Sequence, residues 1–334
     1  MDIIFEESAL KAIVCETFDH PNQLTVQEVA APNLGENDVL IDIAATGLGY
    51  VDALMVSGLY QIKPNLPFIP GSEIAGTVVG TGSGVKSLKP GDRVLAMPSR
   101  GGLAEQVAVP EAACFEIPLQ LSFEAAAAFL VNYCTAYHGL IHCGALAESE
   151  TVLILGASGG VGVAAIDLAK SLGSRVIAAV SSQEKLGAAL GAGADTGILY
   201  SEPSWRDDLK AALNGAPLDM VYDPVGGDYA DPALRSLAPG GRYLVVGFAS
   251  GAIPQFAANL ALLKQISIIG VNWGAHVAIN PQISQKVTQD LLTRISDHRL
   301  RPEAGQCFTL SQAGAAMTQM LDRKAIGKVV ITQE

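Results

Sequence analysis

The stretch Leu153-Ile154-Leu155-Gly156-Ala157-Ser158-Gly159-Gly160-Val161-Gly162 decides the fold. It completes an apolar run and opens an Ala-rich segment, so it joins a predicted strand to a predicted helix. Its last six residues match a dinucleotide-binding glycine fingerprint, with Ala157 in place of the first Gly. Gly159 would let the backbone approach a pyrophosphate, Gly162 would let helix pack on strand, and the helix N-terminus offers N–H donors. The turn therefore predicts a dinucleotide site; a glycine turn that serves packing alone is the alternative.

Apolar runs typical of buried parallel strands recur along this half of the chain. They are Thr151 to Leu155, Arg175 to Val180, Leu218 to Tyr222, Arg242 to Gly247 and Ile266 to Val271. Helical stretches separate them, including Val161 to Leu172, Gln183 to Leu190 and Ser204 to Leu213. Alternating strands and helices predict an α/β fold with a doubly wound parallel sheet.

The first part of the chain, up to about residue 120, has a different texture. Short β-rich segments lie between Gly and Pro residues there, which predicts a β-barrel-like unit; they include Val39 to Ala44, Ile74 to Val79 and Arg93 to Ala96. Ser122 is a predicted N-cap for an Ala-rich helix that joins two domains. The tail contains a helical Leu310 to Asp322 and a strand, Lys328 to Thr332, which could belong to either domain.

Composition and charge exclude several classes of protein. Of the 334 residues 49% are hydrophobic and 16% charged, so the chain is globular, and the net charge of -12 disfavours nucleic acid and anionic membranes as partners. The five cysteines are dispersed without a C-x-x-C pair, which indicates free thiols in a reducing compartment. The acidic N-terminus does not resemble a secretory leader, and no apolar run of about 18 residues occurs, so we expect a cytoplasmic protein.

The residues after the strand that ends at Val180 bear on the choice of cofactor. They read Ser181-Ser182-Gln183-Glu184-Lys185, where an NAD site would carry a carboxylate for the ribose 2′-hydroxyl. Two hydroxyls and an ammonium can instead donate to a 2′-phosphate, which favours NADPH. Glu184 keeps NADH open as the alternative, and the two serines are also candidates for capping the next helix.

With these residues in hand, the chain resembles the zinc-free quinone oxidoreductase branch of the medium-chain dehydrogenase/reductase superfamily over nearly its whole length. The segments that carry the resemblance, besides the glycine fingerprint, are Asp52 to Tyr60, Pro70 to Gly76, Lys89 to Val94, Asp223 to Gly227 and Ile326 to Val330. The resemblance implies a GroES-like β-barrel catalytic domain (1–122 and 272–334) and a Rossmann NADP(H)-binding domain (123–271). It also implies a homodimer or homotetramer.

Metal ligands of the zinc-dependent branch are missing from this sequence. Gly49 and Ser72 lie in the two segments where that branch has its ligands, so we expect no metal, with Asp52 and Glu73 as buried polar supports. Among the histidines, His138 and His142 are four residues apart but have no third ligand nearby in sequence. We therefore expect structural roles for the histidines.

The resemblance implies an enzyme that transfers hydride from NADPH to a quinone or similar conjugated carbonyl, a small-molecule substrate, without zinc. The alternatives are an enoyl-thioester or alkenal/enone double-bond reductase and a non-catalytic NADPH-binding protein of crystallin or sensor type. Tyr50 is the candidate catalytic residue, as a donor to the substrate carbonyl, and a pocket-shaping role is its alternative. Tyr60 and Asn132 are further candidate substrate contacts, and Gly49 replaces an Asn that the family usually carries.

The remaining site residues are candidate cofactor contacts, and packing is the alternative for each. By resemblance Thr135 lies on the nicotinamide side, Tyr200 near the adenosine phosphate, and Lys328 near the cofactor phosphates. The full candidate set is Asn132, Thr135, Ser158, Gly159, Gly160, Val161, Ser181, Ser182, Lys185, Tyr200, Val225, Gly247, Phe248, Ala249, Val271, Trp273 and Lys328.

Overall fold

The computed structural model describes residues 9–333, which form two compact units. The first contains the described residues up to Leu130 and those from Glu303 onward, and the second contains Val131–Pro302. The predicted boundaries differ at two places: 123–130 group with the first unit, and 272–302 with the second. Residues 272–302 group there because their helices contact residues 131–143: Thr288 Oγ1 lies 3.8 Å from Cys134 Sγ, and the Arg294 guanidinium lies 5.9 Å from the centre of the Tyr137 ring.

Short strands and two helices make up the N-terminal part of the first unit. In chain order they are β1 (Leu10–Ile13), β2 (Val26–Val29), β3 (Asp38–Leu48), α1 (Tyr50–Val56), β4 (Ile74–Thr81), β5 (Arg93–Ala96), β6 (Gln106–Pro110), β7 (Cys114–Glu116) and α2 (Phe123–Ala127).

Strands and helices then alternate through the second unit. They are α3 (Leu130–Tyr137), a π-helical segment (His138–Cys143), β8 (Thr151–Leu155), α4 (Gly160–Ser171), β9 (Arg175–Val180), α5 (Gln183–Gly191), β10 (Thr196–Leu199), α6 (Trp205–Leu213), β11 (Met220–Asp223), α7 (Ala230–Ser236), β12 (Arg242–Val245), α8 (Ala258–Lys264), β13 (Ser267–Gly270), α9 (Trp273–Ile279) and α10 (Pro281–Ser296). The tail adds β14 (Cys307–Thr309), α11 (Ala313–Leu321) and β15 (Val329–Thr332). Single 3-10 turns occur at Pro21–Gln23, Glu111–Ala113, Gly227–Tyr229 and Leu310–Gln312.

The sheet of the first unit confirms the GroES-like fold. Its order is β14-β15-β3-β4-β5-β7, with β6 paired to β3, and its interior contains β-branched side chains such as Val39, Ile41, Ile74 and Val94. Strand β15 pairs antiparallel with β3, from Val329 opposite Leu48 to Thr332 opposite Ala45. The C-terminal strand therefore belongs to the first unit, which answers the question left open by its sequence.

The sheet of the second unit confirms the doubly wound Rossmann arrangement. Its six strands are parallel in the order β10-β9-β8-β11-β12-β13. Strands after β8 are first added on one side of it, as β9 and β10, and then on the other side, from β11 onward, so the strand order reverses between β8 and β11. Every residue of β8 is buried, as expected for a central strand with both faces covered. Ligands of such sheets bind at the carboxyl ends of the strands next to this reversal.

The predicted Ala-rich joining helix is interrupted. Ser122 Oγ accepts a hydrogen bond from Ala125 N at 3.1 Å, so the predicted N-cap is present. The helix ends at Ala127 and resumes at Leu130, and its last turn widens to the π form from His138 to Cys143. Within residues 9–333, every helix is too short or too polar to span a membrane.

Candidate functional site

The glycine-rich turn after β8 has the backbone shape that its sequence predicts. Gly156 adopts a left-handed φ of 60°, and Gly159 N donates to Gly156 O at 3.0 Å. A Cβ on Gly162 would lie 2.5 Å from Gly156 O, so this helix position must be glycine for α4 to approach the turn. A Cβ on Gly159 would meet a single described atom, Gly156 O at 3.5 Å. Because Gly159 also caps α4 without a side chain, the first-turn N–H groups are accessible to an anion.

Two candidates on α3 lie next to this turn. Asn132 is 5% exposed, and its Nδ2 lies 2.6 Å from the position that a Cβ on Gly160 would take. Thr135 lies three residues further along the helix, on the same face, and its hydroxyl donates to Val131 O at 2.7 Å. The structure therefore brings Asn132 against the glycine-rich turn, with Thr135 one helical turn away.

Polar groups gather at the carboxyl end of β9. Ser182 caps α5, and its Oγ accepts a hydrogen bond from Lys185 N at 3.3 Å. The Lys185 ammonium lies 3.3 Å from Ser181 Oγ, and Ser201 Oγ donates to the Ser181 carbonyl at 3.1 Å. Burial lowers the pKa of Lys185, and the charge of Glu184 opposes this effect. Ser181, Ser182 and Lys185 thus form one polar corner, which we call the serine–lysine corner.

The ends of β10 and β11 contribute the next candidates. Tyr200 follows β10, and its ring stacks at a tilt on Tyr229 with 4.3 Å between the ring centres. Asp223 ends β11 and is buried; its Oδ1 accepts the N–H groups of Val225 and Gly226, each at 2.8 Å. Burial raises the pKa of Asp223, although these donors and the Tyr243 hydroxyl oppose the rise. The carboxylate therefore fixes the turn that contains Val225.

Strands β12 and β13 complete the same edge of the sheet. Ala249 N donates to Pro224 O at 3.0 Å, which holds the Gly247–Ala249 segment against the turn after β11. Val271 N donates to Val245 O at 2.9 Å, and Val271 and Trp273 are buried, whereas Phe248 is 42% exposed. The candidate cofactor contacts of the second unit thus follow its parallel strands or lie on α3 beside the first turn. This edge is where a Rossmann sheet binds a dinucleotide.

The first unit contains the two candidate tyrosines. Tyr50 begins α1 and is 37% exposed, and the N-cap before it is Gly49, whose N–H donates to the buried Asp52 Oδ2 at 2.7 Å. Tyr60 lies beyond the end of α1, so a helix about 10 Å long separates the two tyrosines along the chain. Burial raises the pKa of Asp52. Through the hydrogen bond from Gly49 N, the Asp52 carboxylate holds the backbone directly before Tyr50.

Lys328 has a different partner from the one that its sequence position suggests. Its ammonium donates to Glu73 Oε2 at 2.7 Å, and the side chains of Lys328 and Glu73 are 5% and 2% exposed. The positive charge of Lys328 also acts on Asp52. A lysine buried in this way neutralises a buried carboxylate and so has a structural role in the first unit, while its contact with the cofactor phosphates stays a prediction. The positions 49, 72 and 73 do not suit catalytic zinc either, since a glycine, a serine and a carboxylate paired with lysine offer no ordinary ligand set.

The structure adds a third histidine to the pair that lies close together in sequence. His276, on α9, brings a third imidazole to His138 and His142, and one ligand atom from each lies within 4.8 Å of the others. Sequence reasoning missed this cluster because the third member is far along the chain, and helix spacing alone cannot show which helices meet.

Comparisons with known proteins agree with both units. Residues 35–119 match the family model "Alcohol dehydrogenase GroES-like domain", and residues 160–294 match "Zinc-binding dehydrogenase". The quinone oxidoreductase-like protein 2 homolog of Nematostella vectensis is 39% identical over 96% of this chain and 88% of its own length. Quinone oxidoreductase-like protein 2 of Rattus norvegicus is 36% identical, over 96% of this chain and 92% of its own length.

A solved structure extends the likeness. The quinone oxidoreductase of Thermus thermophilus, solved alone and in complex with NADPH, has a TM-score of 0.80 and 33% identity, covering 96% of this chain and 99% of that one. With both units matched and relatives aligned over nearly their full length, the chain belongs to the quinone oxidoreductase branch of the medium-chain dehydrogenase/reductase superfamily.

Proposed function

We propose that this protein is an NADPH-dependent oxidoreductase that reduces quinones or similar conjugated carbonyl compounds without zinc. The observation that carries the proposal is the pairing, on one edge of the parallel sheet, of an open glycine turn with the serine–lysine corner. These two features suit the two anionic groups of NADPH, its pyrophosphate and its 2′-phosphate.

The turn after β8 would hold the pyrophosphate. The N-terminus of α4 offers the backbone N–H groups of Gly159, Gly160 and Val161. The helix dipole favours an anion at this end of the helix. The buried Ser158 is the adjacent hydroxyl. A side chain at Gly160 would displace Asn132, so the turn and the candidate substrate contact depend on each other.

The serine–lysine corner would hold the 2′-phosphate. The Lys185 ammonium carries a desolvation penalty that lowers its pKa, and a phosphate beside it would offset that penalty. The hydroxyls of Ser181 and Ser182 can donate to the same oxygens, and Tyr200 lies at the neighbouring strand end for the adenosine side. The Thermus thermophilus relative was solved in complex with NADPH, which supports NADPH as the cofactor.

The remaining candidates would position the nicotinamide end. Asn132 and Thr135 share one face of α3 beside the turn, and Val225, Gly247 to Ala249, Val271 and Trp273 lie at the ends of β11, β12 and β13. Hydrogen bonds within these turns fix their backbone, which lets them orient a ring without much rearrangement.

Bound NADPH would supply a hydride from its nicotinamide ring. Negative charge then develops on the acceptor oxygen of the substrate, and a positioned donor lowers the energy of that charge. We assign this role to the Tyr50 hydroxyl, on a partly exposed side chain at the start of α1. Asp52 holds the preceding backbone through Gly49 N, so it positions the loop, and Tyr60 is a further substrate contact.

Zinc has no part in this proposal. A quinone or an α,β-unsaturated carbonyl is electrophilic enough to accept hydride with one hydrogen-bond donor, whereas alcohol oxidation by the zinc branch uses a Lewis acid. Gly49 and Ser72 offer no ligand of the ordinary kind, and Glu73 is already paired with Lys328.

The oligomer that we propose is a homodimer formed through β13. This strand is one of the two outer strands of the parallel sheet, and Ile268 on it is 39% exposed. Leu262 and Leu263 on the preceding helix are 78% and 73% exposed. Ile268→Lys should give a monomer in sedimentation analysis, whereas Ile253→Lys, an exposed isoleucine in a loop, should not. A wild-type protein that sediments as a monomer would refute the dimer.

The test of the proposed reaction is NADPH oxidation by the purified protein with a panel of acceptors and a chelator present. The panel contains benzoquinone, phenanthrenequinone, crotonaldehyde and crotonyl-CoA, and NADH is run in parallel. Chelator-insensitive, NADPH-dependent reduction of the quinones supports the proposal. Preference for crotonaldehyde or crotonyl-CoA would reassign the protein as a double-bond reductase, and cofactor binding without turnover on any acceptor would indicate a non-catalytic binding protein.

A further inference from the structure

A cluster of three histidines lies within the second unit, and the proposed reaction makes no use of it. His138 begins the π-helical segment, His142 follows within it, and His276 lies on α9. The ring centres of His138 and His276 are 4.4 Å apart, and those of His138 and His142 are 5.8 Å apart. One ligand atom of each histidine lies within 4.8 Å of the other two.

One nitrogen of the cluster is buried without a partner. Nδ1 of His138 has no hydrogen-bond partner among the residues that the structure describes. The other ring nitrogen, Nε2, lies 3.5 Å from Cys143 Sγ. If Nε2 carries the proton and donates to the sulfur, the lone pair of the neutral ring is on Nδ1. A buried acceptor of this kind is destabilising unless a ligand satisfies it.

Burial and neighbouring rings affect the pKa of two of the histidines. Burial, then the neighbouring His276 and His142, lower the pKa of His138 to about 4. Burial and His276 also lower the pKa of His142.

We propose that His138, His142 and His276 bind one divalent transition-metal ion that favours imidazole, such as Zn²⁺ or Ni²⁺. Three imidazoles and an open position for water form a known set for such ions. His138 would bind through Nδ1, with Cys143 holding Nε2 and hence the orientation of the ring.

Side-chain rotation is needed to close the site, because the His138 and His276 rings are stacked with 28° between their planes and His276 must turn until its lone pair faces the ion. A Zn–N distance of about 2.0–2.1 Å in a tetrahedral site places ligand nitrogens about 3.4 Å apart, so separations of up to 4.8 Å must shorten by about 1.4 Å at most. His142 is exposed and His276 is half-buried, so these two can move toward the buried His138. The widened π-helical turn sets the direction of the first two side chains; such turns frequently mark functional sites.

Metal binding would fasten α9 to the π-helical segment. Trp273 begins α9, and its ring centre lies 5.8 Å from that of His138. The ion would thus stabilise the second unit and fix the segment that contains Val271 and Trp273. This inference does not depend on the proposed reaction, because no ligand is a candidate cofactor contact.

The test uses the fluorescence of Trp273. The chain has two tryptophans, so Trp205→Phe leaves Trp273 as the single indole, and Ni²⁺ bound beside it should quench its emission. We expect saturable quenching with one equivalent of Ni²⁺. His142→Asn and His276→Asn, each in the Trp205→Phe protein, should weaken binding by about 100-fold or more, since ligand loss exceeds the 10–100-fold effect typical of outer-shell changes.

The same Ni²⁺ titration is run on a control variant. His298→Asn replaces an exposed histidine whose φ of 57° suits asparagine, and it should bind Ni²⁺ with unchanged affinity. As a second measurement, Zn²⁺ should raise the melting temperature of the wild-type protein and not that of His142→Asn, in which the replaced side chain is exposed. Absence of saturable quenching, or equal affinity in His142→Asn and wild type, would overturn the proposal.

Discussion

Replacing Lys185 by Glu reverses the charge of the serine–lysine corner without touching the core. In the wild-type protein the Lys185 ammonium lies 3.3 Å from Ser181 Oγ and its α5 backbone is capped by Ser182. The cap uses the backbone N–H of residue 185, so it survives the substitution. The substitution therefore acts on the charge that a 2′-phosphate would meet.

The expected magnitude follows from the contact that is lost. A hydrogen bond to a charged group contributes about 1.5–3 kcal/mol, and each 1.36 kcal/mol is about tenfold in affinity. Loss of the ammonium and repulsion by the new carboxylate should together weaken NADPH binding about 100-fold. NADH has no 2′-phosphate, so its affinity should change by at most about fivefold, corresponding to about 1 kcal/mol for a screened surface charge.

The assay compares dissociation constants of NADPH and NADH by titration calorimetry, together with their KM values in quinone reduction. Lys286→Glu is the matched control, because it makes the same change of charge at an exposed residue of α10. It should leave both cofactors unchanged. Equal weakening of NADPH and NADH by Lys185→Glu, or no weakening of NADPH, would remove Lys185 from the phosphate site.

Three further predictions concern the other parts of the site. Tyr50→Phe should lower kcat by about 100-fold with an unchanged dissociation constant for NADPH, since one donor to a developing oxyanion contributes about 10²–10³-fold; unchanged kcat in steady-state kinetics would give Tyr50 a packing role. Gly162→Ala should lower the melting temperature because its Cβ would lie 2.5 Å from Gly156 O, whereas Gly159→Ala, with a single contact at 3.5 Å, should stay folded and bind NADPH more weakly; calorimetry that finds the reverse order contradicts this reading. Lys328→Met should cost about 3–5 kcal/mol of unfolding free energy in urea because it leaves Glu73 buried and charged, and adding Glu73→Gln should recover part of the loss; a folded Lys328→Met protein of normal stability that has lost NADPH affinity would restore the phosphate contact.

Continuous apolar runs are the part of this fold that sequence predicts well. Strands β5, β8 and β9 have the predicted ends, Arg93 to Ala96, Thr151 to Leu155 and Arg175 to Val180, because burial on both faces requires an unbroken apolar segment that polar or turn residues terminate. The break in the helix between Ala127 and Leu130 could not be predicted from the sequence. Its residues carry no Gly or Pro to signal a break, so only packing with the rest of the protein ends the helix there.

Contacts between residues far apart in the chain could not be predicted from the sequence. The partner of Lys328 is Glu73, 255 residues away, and a resemblance in the tail offers no information on which of two anions, a carboxylate or a phosphate, faces the lysine. The same limitation hid His276 from His138 and His142. The candidate contacts at strand ends could be predicted from the sequence because a parallel sheet places the ends of successive strands at one edge.

The most direct test of the central claim is a single-turnover experiment with chelator-treated protein. Protein saturated with NADPH is mixed rapidly with benzoquinone, and the loss of NADPH absorbance is followed for unlabelled cofactor and for cofactor deuterated at the transferred position. We predict rapid oxidation of the bound NADPH with a slower rate for the deuterated form, because hydride transfer is direct. Bound NADPH that persists in the presence of the quinone would contradict the account.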